Sequence, residues 1–259
     1  MSKQIIRTEV YKGILIKSFV ILLFLNFTNL MAQSKTVAVS NFDKVIISPH
    51  IQVTFREGDK EAVIIEQNKE LFEKLNIEVV NHTLRIYLED AKMVTKSERI
   101  RGNNGERRVS KYKGTVVSAI VIYKKLEKLS LRGEQTFVLE SPLKMSKLSL
   151  NIYGESQVYI NEVALDNLYV SIYGESYLEI KKGSITRQKF ISYGESTINT
   201  IEVNNQSTKI TAYGTGSFRF NITDDLKITS YGEATVAYKG NPTVRKGIVI
   251  GETKIENIR

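Results

Sequence analysis

The chain has 259 residues, enough for one large domain, and its 37 Lys and Arg against 28 Asp and Glu give a formal net charge of +9. It has no cysteine, which excludes disulfide bonds, thiolate metal sites and a cysteine nucleophile. Hydrophobic residues make up 42% of the chain, a share that favours a folded domain over a disordered one.

Residues 1–32 are typical of a signal peptide. Four Lys and Arg residues precede an apolar run at 19–25, and a small-residue cleavage sequence ends at Ala32. The apolar run is shorter than the roughly 20 residues that span a membrane. We therefore expect cleavage and export to the periplasm, the outer surface or the medium, with an uncleaved anchor as the alternative. Export argues against nucleic acid and nucleotide cofactors as partners.

Residues 33–259 are predicted to form one domain that begins with a strand-rich segment at 33–90. Alternating or β-branched residues indicate short strands at 36–39, 45–47, 51–55 and 62–65, arranged as a meander. One short helix is predicted at 68–75, where three apolar residues share a face. A hairpin is predicted from strands at 77–80 and 83–87, joined by Asn81 and His82.

Residues 91–114 are predicted to be an exposed basic loop without apolar periodicity. Residues 1–32 hold four basic residues and one acidic residue, so the rest of the chain carries a net charge of +6, and residues 92–113 alone account for all of it. Such a local charge is suited to lipopolysaccharide, phospholipid head groups or an acidic glycan; a solubilising role is the alternative. The candidate contact residues are Arg99, Arg101, Arg107 and Arg108.

Residues 115–259 are predicted to be repeat coils. The tetrapeptide Tyr-Gly-Glu-Ser occurs three times, with its glycine at 154, 174 and 194. Degenerate copies place further glycines at 133, 214, 232 and 251, so the steps are 21, 20, 20, 20, 18 and 19 residues. A constant step of this size is the signature of a solenoid.

The fold class is predicted to be all-β, a parallel β-helix with about 20 residues per coil. Within each repeat apolar residues alternate with polar ones, and no helical pattern separates the strands. Two apolar columns run unbroken through the repeats. The first holds Leu129, Leu150, Val170, Phe190, Ile210 and Ile228, and the second holds Phe137, Val158, Leu178, Ile198, Phe218 and Val236. Each glycine is expected at a corner of the coil.

Stacking of coils places the repeat tyrosines in one column, and this ladder is the main candidate binding face. It consists of Tyr153, Tyr173, Tyr193, Tyr213 and Tyr231. An aromatic ladder on a β-helix suits sugar rings or another extended polymer. The alternative is structural stacking, since each aromatic pair adds about 0.5–1.5 kcal/mol. Any binding is expected to depend on the whole column of tyrosines. It should weaken gradually as these tyrosines, the rungs of the ladder, are removed one by one.

A second column contains the glutamates of the repeats. Glu155, Glu175 and Glu195 share it with Glu134, Glu233 and Glu252, interrupted by Thr215. Calcium needs six to eight oxygen ligands, which single glutamates with neighbouring serines do not supply, so no metal site is predicted. A solvated edge, or carboxylates bonded to corner amides, is the simpler interpretation. Equivalent glutamates also lack the two contrasting environments of a glycosidase, and no Ser-His-Asp spacing exists. We predict no catalytic residues and no cofactor.

The chain resembles the head GIN domain family of adhesin-like auto-transporter proteins, which are exported proteins common in Bacteroidetes-type bacteria. The resemblance is carried by residues 39–45, by residues 53–58, by the hairpin at 81–86 and by the glycine-containing repeats, and it covers roughly residues 39–240. It implies a β-helical, adhesin-like protein of the surface or periplasm, with no catalytic residues to transfer. The corners here read Tyr-Gly-Glu-Ser, where the family commonly has Ser-Gly-Gly-Ser-Asp-like corners.

The sequence and this resemblance together predict an exported, non-enzymatic adhesin-like module. Its partner is expected to be an extracellular glycan or an envelope protein, with no nucleic acid and at most peripheral membrane contact. Two alternatives stay open: a structural envelope protein without a specific ligand, and a polysaccharide-active enzyme. The sequence does not indicate an oligomeric state.

Overall fold

A computed structural model describes residues 34–102 and 105–258. The predicted signal peptide lies outside the described residues. The strands are β1 Lys35–Ala38, β2 Lys44–Ile47, β3 Ile51–Glu57, β4 Ala62–Asn68, β5 Leu75–Val80, β6 Thr83–Leu88, β7 Ser97–Gly102, β8 Gly105–Ser110, β9 Val117–Tyr123, β10 Lys128–Gly133, β11 Thr136–Leu139, β12 Leu143–Gly154, β13 Gln157–Ile160, β14 Val163–Tyr173, β15 Ser176–Ile180, β16 Gly183–Tyr193, β17 Ser196–Lys239, β18 Thr243–Ile250 and β19 Thr253–Asn257.

The repeats form a parallel β-solenoid of about six turns with roughly 20 residues per coil, as predicted. Strands β10, β12, β14, β16 and β17 stack in that order, each parallel to the next. Corresponding repeat positions face one another across these pairs, for example Tyr153 opposite Tyr173 and Tyr173 opposite Tyr193. The constant step in the sequence is therefore the length of one coil.

The interior of the solenoid is built from the two predicted apolar columns. Every member of both columns is buried, with no more than 2% of its surface exposed. Burying a side chain of this size contributes about 1.5–3 kcal/mol, which makes these columns the main source of stability. Because alternate residues point inward, the intervening positions of each strand form the outer faces on which a partner can bind.

The repeat glycines stand at the corners, as expected. Gly174 has a φ of 120°, a conformation that other residues rarely adopt. A Cβ at this position would lie 2.4 Å from the carbonyl oxygen of Gly154 in the coil before it. Both backbone conformation and close stacking therefore require glycine.

The N-terminal segment is part of the solenoid, which differs from the predicted meander. Strand β2 lies between β6 and β10 and is parallel to both, and β3 lies between β9 and β11 in the same way. Strands β1, β4 and β5 pair antiparallel, β1 with β4, β4 with β9 and β5 with β6. These antiparallel strands cover the edge of the first coil, an edge that would otherwise offer unpaired backbone groups to other chains.

The prediction of a short helix at 68–75 is wrong. Only a single 3-10 turn, Phe72–Lys74, forms there, because Asn68 ends β4 opposite Val117 and Leu75 begins β5. The apolar residues do not share one buried face, since Leu71 is 67% exposed. The predicted hairpin at 77–87 is confirmed, with Asn81 and His82 at φ of 50° and 56°.

The predicted basic loop at 91–114 contains regular structure that the sequence did not indicate. Strands β7 and β8 form an antiparallel hairpin that pairs only with itself. Exposure of this region was predicted correctly, because most of the side chains described in the two strands are exposed. Nowhere in residues 34–102 and 105–258 is there a helix long and apolar enough to cross a membrane.

Candidate functional site

The five repeat tyrosines form a continuous stack on one outer face of the solenoid. Neighbouring ring centroids lie 4.8–5.1 Å apart, and neighbouring planes differ by 3–7°. Tyr173, Tyr193 and Tyr213 are 37–41% exposed, so the column faces solvent. The first ring, that of Tyr153, carries the guanidinium of Arg132 at 5.4 Å from its centroid. The predicted ladder therefore exists and is accessible to a partner.

The geometry of the stack decides which parts of the tyrosine side chains a partner can contact. Parallel rings this close cannot lie side by side in one plane, because their ring hydrogens would overlap. Each inner ring therefore has a neighbouring ring against both of its faces. Flat stacking of a sugar or a base on an inner ring is thus blocked. Ring edges and hydroxyls remain, and across the described part of the chain none of these five hydroxyls has a hydrogen-bond partner.

Two further columns lie on the same outer face, on the strands that carry the tyrosines. Two positions before each tyrosine stand side chains that are shorter than tyrosine and lysine, four of them polar and one apolar, namely Asn151, Ser171, Ile191, Thr211 and Thr229. Four positions before it stand Ser149, Tyr169, Lys189, Lys209 and Lys227. Because four residues of a strand span about 13 Å, these shorter side chains form the floor of a shallow trough between the tyrosines and the lysines.

The glutamate column lies beyond the glycine corner, on the other side of the ladder. Glu155, Glu175 and Glu195 are exposed. Considering residues 34–102 and 105–258, their carboxylates take part in no salt bridge and accept no hydrogen bond. This arrangement matches a solvated edge, and the alternative of carboxylates bonded to corner amides is wrong for these three residues.

The serines of the first two tetrapeptides have a structural role that the sequence did not reveal, whereas the hydroxyl of Ser196 in the third bonds to that of Ser192. Ser156 and Ser176 are buried, and their hydroxyls donate to the carbonyl oxygens of Gly133 and Gly154 at 2.8 and 2.9 Å. Each hydroxyl thus links the corner of its coil to the corner of the preceding one. The serines do not join the glutamates as cation ligands, because their oxygens point into the solenoid.

A cavity of about 770 Å³ opens at the first rung of the ladder, next to the base of the β7–β8 hairpin. Its lining includes Met93, Tyr112, Arg132 and Tyr153. His50 lies on its inner side and bonds through Nδ1 to the carbonyl of Gly114 at 2.7 Å. A carbonyl only accepts, so Nδ1 carries the proton. His50 therefore ties the hairpin base to the coil.

Asp90 holds the base of the β7–β8 hairpin. Its carboxylate accepts a hydrogen bond from Lys111 and another from Lys96, the latter at 2.7 Å. These bonds, that of Lys111 first, lower the pKa of Asp90 from 3.8 to about 2. The Asp90 backbone also accepts from the amide of Lys96 at 2.8 Å. The hairpin is thus anchored at its base, and among the described residues its two strands pair with no other strand.

The predicted arginines lie on this hairpin, away from the ladder strands. Arg99 stands opposite Arg108, while Arg101 stands opposite Glu106 and Arg107 opposite Ile100. The structure thus brings together Tyr153, Tyr173, Tyr193, Tyr213 and Tyr231 as one face, places Glu155, Glu175 and Glu195 beside it, and keeps the arginines on a separate element. The lysine column was missed, although lysine recurs four positions before the tyrosine in three successive repeats.

Solved structures with the same fold come from Bacteroides and Parabacteroides species. A protein named a "putative adhesin" from Bacteroides fragilis has 19% sequence identity and a TM-score of 0.70, over 87% of this chain and 96% of that chain. A "putative lipid binding protein" from Parabacteroides distasonis has 18% identity and a TM-score of 0.62, over 89% and 98% of the two chains. A "putative adhesin" from Parabacteroides merdae has 19% identity and a TM-score of 0.60, over 89% and 98%. At these identities the likeness establishes the fold alone.

Comparison with curated proteins gives no match. The family described as "Putative auto-transporter adhesin, head GIN domain" matches residues 41–242, which is most of the chain and nearly all of the solenoid. The match includes the N-terminal strands β2 and β3, the basic hairpin and the five tyrosine rungs. The chain therefore belongs to the head GIN domain family.

Proposed function

We propose that the protein is an exported, non-enzymatic, adhesin-like module that binds an extended polymer, either a glycan or a protein segment, along its tyrosine ladder. The observation that carries this proposal is the solvent-facing stack of five tyrosines in register. A repeated face of this kind suits a partner that itself repeats. Residues 1–32 would direct export, and membership of an adhesin-like family is consistent with a surface or secreted location.

The chemistry of the ladder narrows the mode of binding. Since the inner ring faces are occupied by neighbouring tyrosines, the partner would meet ring edges, which are electropositive, and hydroxyls that lack internal partners. Each rung contributes little alone, so affinity would come from the number of rungs engaged at once. This behaviour suits reversible attachment to a surface polymer and requires no catalytic group.

A glycan array probed with the wild-type protein and with Tyr193→Ala tests the proposal. Tyr193→Phe separates the hydroxyl from the stack, and Tyr159→Ala is the matched control because Tyr159 lies on β13, away from the ladder. Binding that falls in Tyr193→Ala but not in Tyr159→Ala, with both proteins folded by circular dichroism, supports the proposal. Unchanged binding in the ladder variant would assign the tyrosines to structural stacking alone.

A second candidate function is contact of the β7–β8 hairpin with an anionic lipid surface. Arg99 and Arg108 stand directly opposite each other, an arrangement that is destabilising unless an anion lies nearby. Exposed apolar residues accompany them, with Val94 78% and Ile100 38% exposed. Such a mixture suits an interface between head groups and acyl chains.

Vesicle sedimentation tests this second candidate. Vesicles that contain phosphatidylglycerol are compared with phosphatidylcholine vesicles at low and high salt. The double variant Arg99→Gln/Arg108→Gln is expected to lose the phosphatidylglycerol-dependent fraction, whereas Lys181→Gln/Lys254→Gln, with the same change in charge, is expected to keep it. Equal sedimentation of both variants would exclude a specific role for the hairpin.

A further inference from the structure

The lysine column beside the ladder is the part of this face that the proposed function leaves unexplained. Lys189 stands opposite Lys209 in adjacent coils. Lys227 follows Lys209 by the same 18-residue step that stacks Tyr231 on Tyr213 at 4.9 Å. Three ammonium groups therefore project from consecutive rungs of one column.

These lysines are not neutralised by the protein. In residues 34–102 and 105–258, none of the three forms a salt bridge, although thirteen other basic residues do. The nearest acidic residue on the same strand, Asp225, is held by both Nε and Nη2 of Arg245 at 2.7 and 2.6 Å. Arg187 adds another positive charge to the rung of Lys189. Like charges on adjacent rungs repel, so the column gains from a polyanion that runs along it.

The floor of the trough adds hydrogen-bonding capacity. Thr211 and Thr229 lie between the lysine and the tyrosine of their rungs, and Asn151 and Ser171 continue the same column in earlier coils. All four are half-buried, and the apolar Ile191 interrupts the column between Lys189 and Tyr193. Their hydroxyl and amide groups both donate and accept, which suits a ligand rich in hydroxyl groups. The opposite flank of the ladder is acidic because of Glu155, Glu175 and Glu195, so an anionic chain is directed to the lysine side.

We propose that the trough between the lysine column and the tyrosine ladder binds an acidic polysaccharide, a chain of hydroxyl-rich sugar units that carries negative charges. This inference rests on the proposed function and names the class of its ligand. Nucleic acid fits less well, because stacking platforms for bases need free ring faces and the inner rings have none. An acidic peptide adding as a strand needs an open sheet edge, whereas this face offers only side chains.

The test measures the affinity of the protein for alginate, a polymer of uronic acid sugars, at low and high salt. Neutral dextran, single-stranded DNA and polyglutamate are the comparison polymers. The triple variant Lys189→Gln/Lys209→Gln/Lys227→Gln is expected to bind alginate about tenfold more weakly than the wild type, because each exposed ion pair contributes modestly. The matched control is Lys124→Gln/Lys181→Gln/Lys254→Gln, which removes the same charge from positions off the ladder strands and is expected to bind like the wild type.

Five outcomes decide between these possibilities. Loss of alginate binding in the trough variant alone, with weaker binding at high salt, supports the inference. Equal losses in both triple variants overturn it, since net charge would then suffice. DNA or polyglutamate bound as tightly as alginate also overturns it. Alginate binding that is lost in Tyr193→Ala but kept in the trough variant overturns the lysine role and leaves the proposed function standing. No alginate binding by the wild type overturns the inference, and the glycan array then decides the proposed function separately.

Discussion

The ring of Tyr193 lies against the ring of Tyr213 with centroids 4.8 Å apart and 3° between the planes. That distance is the spacing between neighbouring strands in a sheet, so the rings stack because the coils do. The two residues are 20 positions apart, one coil length. The shape of the binding face is therefore set by the corners and the buried columns.

The stack itself is expected to contribute to stability in proportion to the number of neighbours that a ring has. Tyr193 stacks on a tyrosine ring on each side, whereas Tyr231 stacks on the ring of Tyr213 on one side and stands opposite Ile250 on the other. At about 0.5–1.5 kcal/mol for each pair, Tyr193→Ala is expected to lower the free energy of unfolding by about 1–3 kcal/mol and Tyr231→Ala by about half as much. Denaturant titration measures both. Equal decreases in the free energy of unfolding for the two alanine variants would contradict this account. So would a similar decrease in Tyr193→Phe, which keeps the ring that stacks.

The corner glycines are expected to be intolerant of alanine. Gly214 has a φ of 112°, and a Cβ there would lie 2.7 Å from the carbonyl oxygen of Gly194. Gly214→Ala is expected to cost at least about 1–3 kcal/mol for the backbone strain alone. Gly105 has a similar φ of 106° but no atom within 4 Å of the added Cβ, so Gly105→Ala is expected to cost less. Thermal melting of the two variants checks the difference; similar losses would mean that coil contact is unimportant.

The repeat region was predictable because its signals are local and periodic. Leu150 and Phe190 occupy equivalent places in their coils, and alternation together with a constant step was sufficient to place both in the interior. The same periodicity placed the tyrosines in one column. The lysine column is visible in the sequence only when the coil register is combined with an offset of four residues, because the lysines lie outside the tetrapeptide.

The arrangement of the first coils was not predictable because its pairings are distant in sequence. Strand β2 inserts between β6 and β10, and its corner holds Pro49 and His50 where later coils have glycine. Pro49 stands at the glycine position, and His50, one position later, adopts a φ of 70°, so this coil also turns through a left-handed residue while the glycine signature is lost. Without that signature no repeat step can be counted.

Polar residues in the core also escaped the sequence pattern. Gln188 and Thr208 are buried in the column that Leu148 and Leu168 begin. The side-chain NH2 of Gln188 donates to the Thr208 hydroxyl at 2.9 Å, which offsets part of the cost of burying both groups, although the amide oxygen of Gln188 has no partner among the described residues. The alternation of inward and outward residues predicts that Gln188 and Thr208 point into the core. Their hydrogen bond is not predictable from it, because the two residues meet only when the coils stack.

The serine hydroxyls at the corners are expected to contribute a measurable share of coil stacking. Ser176→Ala removes the buried bond to the carbonyl of Gly154 and is expected to cost about 1 kcal/mol. The methyl group itself fits, because Ala234 is buried at the equivalent position of a later coil. Denaturant titration of Ser176→Ala, with Ala234→Ser as the reciprocal variant, checks the value. A cost near zero would mean that the carbonyl is satisfied in another way.

The hairpin base is expected to respond to acid through Asp90. Its pKa is lowered from 3.8 to about 2, first by the hydrogen bond from Lys111 and then by that from Lys96. A carboxyl with a lowered pKa in the folded state contributes stability that is complete above its unfolded pKa and is lost as pH falls through the folded value. The anchor of the β7–β8 hairpin should therefore hold at neutral pH and weaken between about pH 4 and pH 2.

An NMR titration of the Asp90 carboxyl carbon, followed together with the Lys96 and Lys111 amides, measures this response. In the wild type the carboxyl and the two amides are expected to titrate together with a pKa near 2. Lys111→Gln should move that pKa upward, because it removes the hydrogen bond that lowers the pKa most, while Lys113→Gln should leave it in place. Asp90→Asn keeps a residue type that tolerates the φ of 64° and should abolish the acid response of both amides. If Asp90 instead titrated near 3.8 in the wild type, its bonds to the two lysines would not form in solution and the hairpin would need another anchor.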